Sequence, residues 1–275
     1  IRGISFNADT LGAPPAVSVY VDQVPFPFGA LSKGAILDVE RVEILKGPQG
    51  TLFGQNSTGG AINYVAAKPT DMLAYGVSAS YARFNAVDME GYVSGPLADT
   101  LKARLAVRTK QGGAWQESTT RDSELGDRNN LYARLLLDWT PTDQLTLSLN
   151  INGWKNKSDN QAPAISAIAL QRPQYTAFVP LTVNAPIPPH NPRLADWPTA
   201  RRPQNDQAFY QTSLRMNYQI SDVAELTYLG TYEHYKANDG LTFTGTPSPF
   251  YSTSRIKIRS TSHELRASGK LADNK

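Results

Sequence analysis

The sequence has no cysteine in 275 residues. This excludes disulfide scaffolds, thiolate zinc sites, cysteine nucleophiles and iron–sulfur clusters together. Charged residues reach only 19%, below the roughly 25% usual in soluble domains. Yet no run approaches the ~18 apolar residues of a helical membrane span, and the mean hydropathy is −0.38. The 40% of hydrophobic residues must therefore be dispersed by a pattern. Only His190, His234 and His263 are histidines, without an H-E-x-x-H or a close pair, so no metal site is expected. Lys and Arg (27) barely exceed Asp and Glu (24), for a net charge of +3. They are spread among acids rather than clustered as a nucleic-acid surface requires. No nucleic acid partner and no cofactor are expected.

Two regimes meet near Pro69. Residues 1–69 are rich in glycine and short β-branched runs, with a strand expected over Val17–Asp22 and a mixed segment over Val39–Leu45. The dense glycines from Gly47 to Gly60 mark tight turns and close backbone approach. This part reads as a compact mixed α/β unit lacking its beginning, because Ile1-Arg2-Gly3-Ile4 resembles the inside of a structured segment rather than a leader. Both ends of the chain are expected to be cut from a longer polypeptide.

From Asp71 onward, stretches of about ten residues alternate between apolar and polar. Leu145, Leu147, Leu149 and Ile151 fall on one face, Thr146, Ser148, Asn150 and Asn152 on the other. A period of two signals a strand with one buried face. The pattern recurs over 75–82, 101–108 and 208–219, and more weakly over 131–139, 225–235 and 256–269; with a short strand at Val87–Ser94, about eight strands are expected. Short polar turns (Pro96–Thr100, Pro141–Gln144, Ser221–Val223, Leu271–Asn274) alternate with long excursions (Gly112–Arg128, Lys157–Asn205, Asn238–Ser254). Such a meander has two unlike rims, as in outer-membrane barrels with short periplasmic turns and long extracellular loops. Tyr75, Tyr81, Trp139, Trp154, Tyr218 and Tyr235 near strand ends fit interfacial girdles. A soluble β-sandwich also alternates, but the runs match the ~9–11 residues of a tilted membrane strand better than the globular ~5–6. An eight-stranded barrel is filled by its own side chains, so the N-terminal unit requires a far wider barrel or a place outside it.

The string Asp38-Val39-Glu40-Arg41-Val42-Glu43-Ile44-Leu45-Lys46-Gly47-Pro48-Gln49-Gly50-Thr51-Leu52-Phe53-Gly54, then Ser57-Thr58-Gly59-Gly60-Ala61-Ile62-Asn63-Tyr64-Val65 and Lys68-Pro69, resembles the plug-domain signature of TonB-dependent outer-membrane receptors. Ile1-Arg2-Gly3 and Val19-Tyr20-Val21-Asp22 resemble two further plug motifs in the expected order. The resemblance implies a mostly β fold. The second half of a mixed α/β plug (1–69) would precede the first part of a transmembrane antiparallel β-barrel (70–275), with about 8 of an expected 22 strands present. It also implies a place in the bacterial outer membrane and import of a scarce solute, most often a ferric siderophore. Energy would come from TonB with ExbB and ExbD, through a TonB box that this chain lacks. Outer-membrane lipid is the further partner.

The candidate plug residues are Arg2, Gly3, Asp22, Glu40, Arg41, Glu43, Lys46, Gly47, Pro48, Gly50, Gly54, Gly59, Gly60 and Asn63. Gly47-Pro48 and Gly50 suit a turn, and Gly54, Gly59 and Gly60 suit close backbone passage. Arg2, Arg41 and Lys46 are expected to meet carboxylates of the barrel wall, Glu264 among the choices, as plug arginines do in the family. A plug held by polar contacts and water could shift under force, whereas one sealed by apolar packing could not. Residues 157–205 hold nine of the 19 prolines, which lower the entropy cost of a defined loop shape. Tyr175, His190, Arg193, Trp197, Arg201 and Arg202 there are the candidate contacts to an anionic or aromatic ligand, with a lipopolysaccharide-facing or merely solvated loop as the alternative. Neither phosphate-loop pattern is present, and Gly91-Tyr92-Val93-Ser94-Gly95 is one place off a nucleophile elbow. No catalytic residue and no enzyme are expected. A surface receptor or adhesin that binds without import, and a non-transporting β fragment, remain as alternatives.

Overall fold

The computed structural model describes residues 16–47, 59–169, 180–187, 191 and 193–269. The first sheet comprises β1 (Val17–Val21), β2 (Val24–Phe26), β3 (Val39–Lys46) and β4 (Gly60–Ala66), in the order β2-β1-β4-β3. β1 and β4 run parallel; the other pairs are antiparallel. β1 and β2 are joined by Asp22 (φ 51°) and Gln23 (φ 69°), two left-handed residues as a type I′ hairpin needs. Neither is glycine, and hydrogen bonds hold the conformation. Asp22 N donates to Tyr64 O (3.0 Å), Gln23 N to Asn63 Oδ1 (3.1 Å), and Ala66 N to Asp22 Oδ1 (3.0 Å). The helical content of this unit, among the described residues, is one 3-10 stretch at Gly29–Gly34.

The chain then forms β5 (Ala74–Ala82), β6 (Ala86–Ala98), β7 (Leu101–Gly112), the short β8 (Gln116–Ser118) and β9 (Glu124–Leu125), β10 (Arg128–Thr142) and β11 (Leu145–Asn156). After β12 (Leu194–Ala195) come β13 (Gln207–Ser221), β14 (Ala224–Leu241) and β15 (Ser252–Gly269). Eight of these make one antiparallel meander in the order β15-β14-β13-β11-β10-β7-β6-β5. They lie where the alternation places them, though longer. The short strand expected over Val87–Ser94 has 13 residues, and β14 and β15 have 18 each. Strands beyond the ~9–11 residues that cross a bilayer must project past it. Register shifts at Pro96/Ala98, Trp139/Thr142 and Gln219/Ser221 put a bulge beside three of the short turns. A bulge tolerates the missing N–H of Pro96 and ends pairing there. The expected turn at Leu271–Asn274 lies outside the described residues.

Residues directly opposite on neighbouring strands share a face, so the register sorts the large sheet into rows. Val93, Leu105, Leu135, Ile151, Thr212, Tyr232 and Thr261 form one outer row. Ala106, Arg134, Asn152, Gln211, Glu233 and Ser260 form the adjacent inner one. The apolar side is exposed, at Tyr75, Val77, Leu105, Ile151, Leu214 and Tyr218 among others. The polar side is covered by the small sheet. Two aromatics expected in the outer girdles are on the inner face instead. Trp154 and Tyr235 share the inner row of Tyr132, Phe209 and Ile258 and are buried against the small sheet. Trp154 follows Asn150 and Asn152 at a spacing of two, so the same alternation, carried four residues further, turns it inward.

Two of the long excursions share a small sheet and a small core. β8 pairs with β9 and, in parallel, with β12. Leu125, Ala162, Ala195 and Trp197 cluster beneath. The carboxylate of Asp196 accepts from the hydroxyls of Ser118, Thr119 and Thr120. The third excursion joins through Asp196 N donating to Gly245 O (3.1 Å). All three therefore make one cap rather than separate loops.

Candidate functional site

The small sheet sits on the inner face of the large one, and the contact between them changes character along the strands. Toward the long loops it is apolar. Val21, Phe26, Leu31 and Ala35 pack with Trp154, Phe209, Tyr235 and Ala237 of the wall. Phe26 meets Phe209 edge-on at 5.7 Å between centroids, and Trp154 lies 5.8 Å from Tyr235, within the range of favourable aromatic pairs. Trp154 Nε1 donates to Leu31 O (3.2 Å), and Lys33 Nζ donates to Gln207 Oε1 (2.6 Å) while standing 5.6 Å over the Trp154 ring. Gly34 permits this approach, since a Cβ there would lie 2.7 Å from Trp154 Cδ1.

Toward the short turns the contact is polar and centred on wall arginines. Arg104 of β7 grips Asp38 with two bonds of 2.6 Å, the side chains being 8% and 9% exposed. The guanidinium also lies 3.8 Å over the Tyr92 ring. Asp38 has φ 48°, a conformation that Asp tolerates better than most residues. Its N–H donates to Glu90 Oε1 (3.1 Å), and its carbonyl accepts from Ala67 N (3.0 Å). Arg134 of β10 reaches the carbonyl of Leu37. Asn150 of β11 donates to Asp22 Oδ2 (3.1 Å), and Arg215 of β13 donates to Asp22 O (2.9 Å). Arg266 of β15 donates to Gln23 Oε1 (3.0 Å).

The sense of the charges is the reverse of the sequence expectation. Arg41 does not meet a wall carboxylate: it pairs with Glu40 (2.8 Å) and Glu43 (2.9 Å) of its own strand. Glu264 pairs with Arg266, its neighbour at i+2 on β15. Toward the short turns the plug groups that meet the wall are mainly carboxylates and carbonyls, with the wall supplying the guanidinium groups; the Asp38 N–H donating to Glu90 and Lys33 donating to Gln207 are the exceptions among the described residues. Beside the polar contacts the seat has an apolar part, the cluster around Trp154. Asp38, inside the quoted motif but not singled out, is the main anchor. An Asp just before a strand is its only sequence signal.

The other candidate plug residues organise the small sheet itself. Asn63 Nδ2 donates to Glu43 Oε2 (2.8 Å) while its Oδ1 holds the Asp22–Gln23 turn. Asn63 first, and Arg41 second, lower the pKa of Glu43 below the ordinary carboxylate value. Gly47 has φ 91° and Gly60 φ 136°, and Gly47 N donates to Gly59 O (3.4 Å) across the β3–β4 pair. Lys46 is exposed at the end of β3, opposite Gly60. Arg2, Gly3, Pro48, Gly50 and Gly54 lie outside the described residues.

The candidate ligand contacts are mostly engaged within the cap. Trp197 is 3% exposed in the cap core, with Arg121 over its ring at 4.9 Å. Buried there, it offers no surface to a ligand. Arg193 pairs with Glu117, and Arg202 pairs with Asp159 and Asp127. Arg201 is exposed and stands 5.6 Å over Tyr251. Tyr175 and His190 lie outside the described residues.

A small sheet clasped on the polar inner face of a long-stranded antiparallel wall, whose outer face is apolar, defines a plugged outer-membrane β-barrel. Comparison with known proteins agrees. Residues 1–61 match the family model of the TonB-dependent receptor plug domain. The pesticin receptor of Yersinia enterocolitica is 31% identical over 146 residues, covering 52% of this chain and 21% of that protein. Among solved structures, the ferric yersiniabactin uptake receptor of Yersinia pestis superposes with a TM-score of 0.73 at 20% identity, over 95% of this chain and 38% of that one. The siderophore receptor PiuA of Acinetobacter baumannii gives 0.68 at 14% identity, over 94% and 36%. The chain thus carries a TonB-dependent receptor plug domain over residues 1–61 and shares the fold of such receptors over nearly its whole length. It spans about a fifth of the length of the curated relatives it matches.

Proposed function

We propose that residues 1–69 are plug and residues 70–275 are barrel wall of a receptor that imports a ferric siderophore into the periplasm. The energy would be supplied by TonB with ExbB and ExbD. The relatives support the cargo by their names, which include ferric yersiniabactin uptake and siderophore receptors. The observation that carries the mechanism is the graded seat of the plug. Its side nearest the short, periplasmic turns is held by Arg104, Arg134, Asn150 and Arg215 through hydrogen bonds. Such bonds exchange for water at little net cost, because the groups released are solvated at once. The apolar cluster around Trp154 lies toward the outer rim and resists water. A pull from the periplasm would then loosen the polar side first, opening a wet path along the wall while the apolar side keeps the plug in place. Plug residues Asp22, Glu43 and Asn63 keep the small sheet coherent during that movement.

The test is uptake of radio-iron by cells that lack their own siderophore receptors and express the complete receptor containing this chain. Uptake that stops on deleting TonB, with surface binding retained, supports the proposal. Binding with no energised uptake of any ferric siderophore in a broad panel would refute it and favour a receptor that does not import.

A further inference from the structure

Along β7 the inner-facing positions are Lys102, Arg104, Ala106, Arg108 and Lys110. All but one are cations, and the gap at Ala106 is directly opposite Arg134 of β10. At a rise of about 3.4 Å per residue the row runs about 27 Å along the strand, comparable with the ~25 Å apolar band of an outer-membrane barrel.

The partners of this row change along its length. Lys110 and Arg108 pair with Asp88 and Glu90 of the neighbouring β6. With Tyr132 they form the wall side of a small cleft at the long-loop end, whose plug side includes Lys33 and Leu37. The cleft stands directly above the polar seat. Leu37 lines it, while the Leu37 carbonyl accepts from Arg134 and the next residue, Asp38, holds Arg104. Among the described residues, Arg104 has its paired acid only in the plug. Arg134, 2% exposed, has no ion pair there and keeps a buried Nε without a hydrogen-bond partner. Lys102, opposite Asp138 at the periplasmic rim, pairs with Asp71.

When the plug draws Asp38 away, Arg104 and Arg134 face the lumen with no wall carboxylate paired to them. Two such guanidiniums, under a tenth exposed in the closed state, then require a counter-ion. Their paired donors match a carboxylate or a similar oxyanion. The opposite side of the seat offers no such passage. At the level of the cleft, Trp154, Phe209 and Tyr235 are sealed by plug side chains, and the next inner row, Asn152, Gln211 and Glu233, carries an acid and no cation.

We propose that the cargo crosses along β7 and β10, its anionic groups passing from Lys110 and Arg108 to Arg134 and Arg104 as Asp38 withdraws. Asp38 holds in the closed state the place that the cargo takes in passage, and the row selects a chelate with exposed carboxylate or other oxyanion groups. This path rests on the import reading of the receptor.

The test uses the complete receptor in cells that lack other siderophore receptors, supplied with the panel of ferric siderophores. Single cysteines are read with anionic and cationic thiosulfonate reagents of equal size. Ala106→Cys lies in the row, at a position 1% exposed, and Ser213→Cys lies on the inner face of β13, at a position 5% exposed. With TonB present, Ala106→Cys reacts at least about fivefold faster with the anionic reagent than with the cationic one, the effect of two unpaired unit charges about 7 Å away in water after screening. Deleting TonB abolishes both reactions, and Ser213→Cys stays slow throughout. Arg134→Gln beside Ala106→Cys lowers the anionic lead about twofold, since one of the two charges is gone. If Ala106→Cys does not fold, Ser94→Cys, opposite Arg104, takes its place. No anionic lead, labelling of Ala106→Cys that is independent of TonB, or Ser213→Cys reacting first would each overturn the path. Radio-iron uptake by unlabelled cells is read alongside. Uptake together with any of those labelling results removes the path alone, whereas no uptake of any panel member removes the import reading and the path with it.

Discussion

Removing the Asp38 carboxylate tests the arginine-centred seat most directly. In the native structure Arg104 donates two bonds of 2.6 Å to Asp38, and both side chains are under a tenth exposed. Truncating one partner of a buried pair costs about 3–5 kcal/mol, since the other charge is left uncompensated. Arg104 stays over the Tyr92 face at 3.8 Å with or without Asp38, so that contact does not offset the loss. Asp38→Ala is therefore expected to loosen the plug by about 3–5 kcal/mol, and Asp38→Asn by somewhat less because one hydrogen bond survives. The double variant Asp38→Ala/Arg104→Ala removes both charges, and the cycle isolates a coupling of about 2 kcal/mol. The absence of cysteine in this chain supplies the assay. A single Ala35→Cys, at a buried interface position, is labelled by a maleimide only when the plug leaves the wall. Labelling followed against urea gives the release midpoint for each member of the cycle. A coupling below about 0.5 kcal/mol, the level at which independent sites add, would refute the seat as described.

Three further outcomes follow from the packing. Gly34→Val drives a side chain into Trp154, where a Cβ alone already lies 2.7 Å from Cδ1. The expected cost is about 1–3 kcal/mol of plug seating, seen as a changed near-ultraviolet Trp signal and faster labelling at Ala35→Cys. Gly245→Ala places a Cβ 2.1 Å from Pro163 O at φ +62°, so the cap should open to proteases while the wall strands stay protected; an unchanged digestion pattern counts against the cap as one unit. Glu43 has its pKa lowered by Asn63 and Arg41, so its contribution is complete above the ordinary carboxylate pKa and is lost as pH falls through the lowered value. Because the side chain is 40% exposed, screening reduces this to a few tenths of a kcal/mol. Amide exchange in β3 should rise as pH falls below the ordinary carboxylate range, and Glu43→Gln should abolish that dependence while leaving the rest of the sheet unaffected.

Much of the wall was legible because a strand repeats every two residues. Leu147, Leu149 and Ile151 against Ser148, Asn150 and Asn152 state both the strand and its two faces without reference to any neighbour. The quoted plug motifs likewise marked Asp22, Glu43 and Asn63, whose bonds in the small sheet are local or between adjacent strands. What the sequence by itself determined is thus periodicity, rim asymmetry and the order of the strands, each a property of short stretches. The tertiary structure alone decided which groups face each other across the lumen. Asp38 meets Arg104 over a separation of 66 residues, and Arg215 meets Asp22 over 193. No local rule says that Arg104, Arg134 and Arg215 of the wall meet carboxylate and carbonyl groups of the plug. The same distance in sequence hid the shared cap around Trp197, whose members come from three separate excursions and meet only when the strands between them pair.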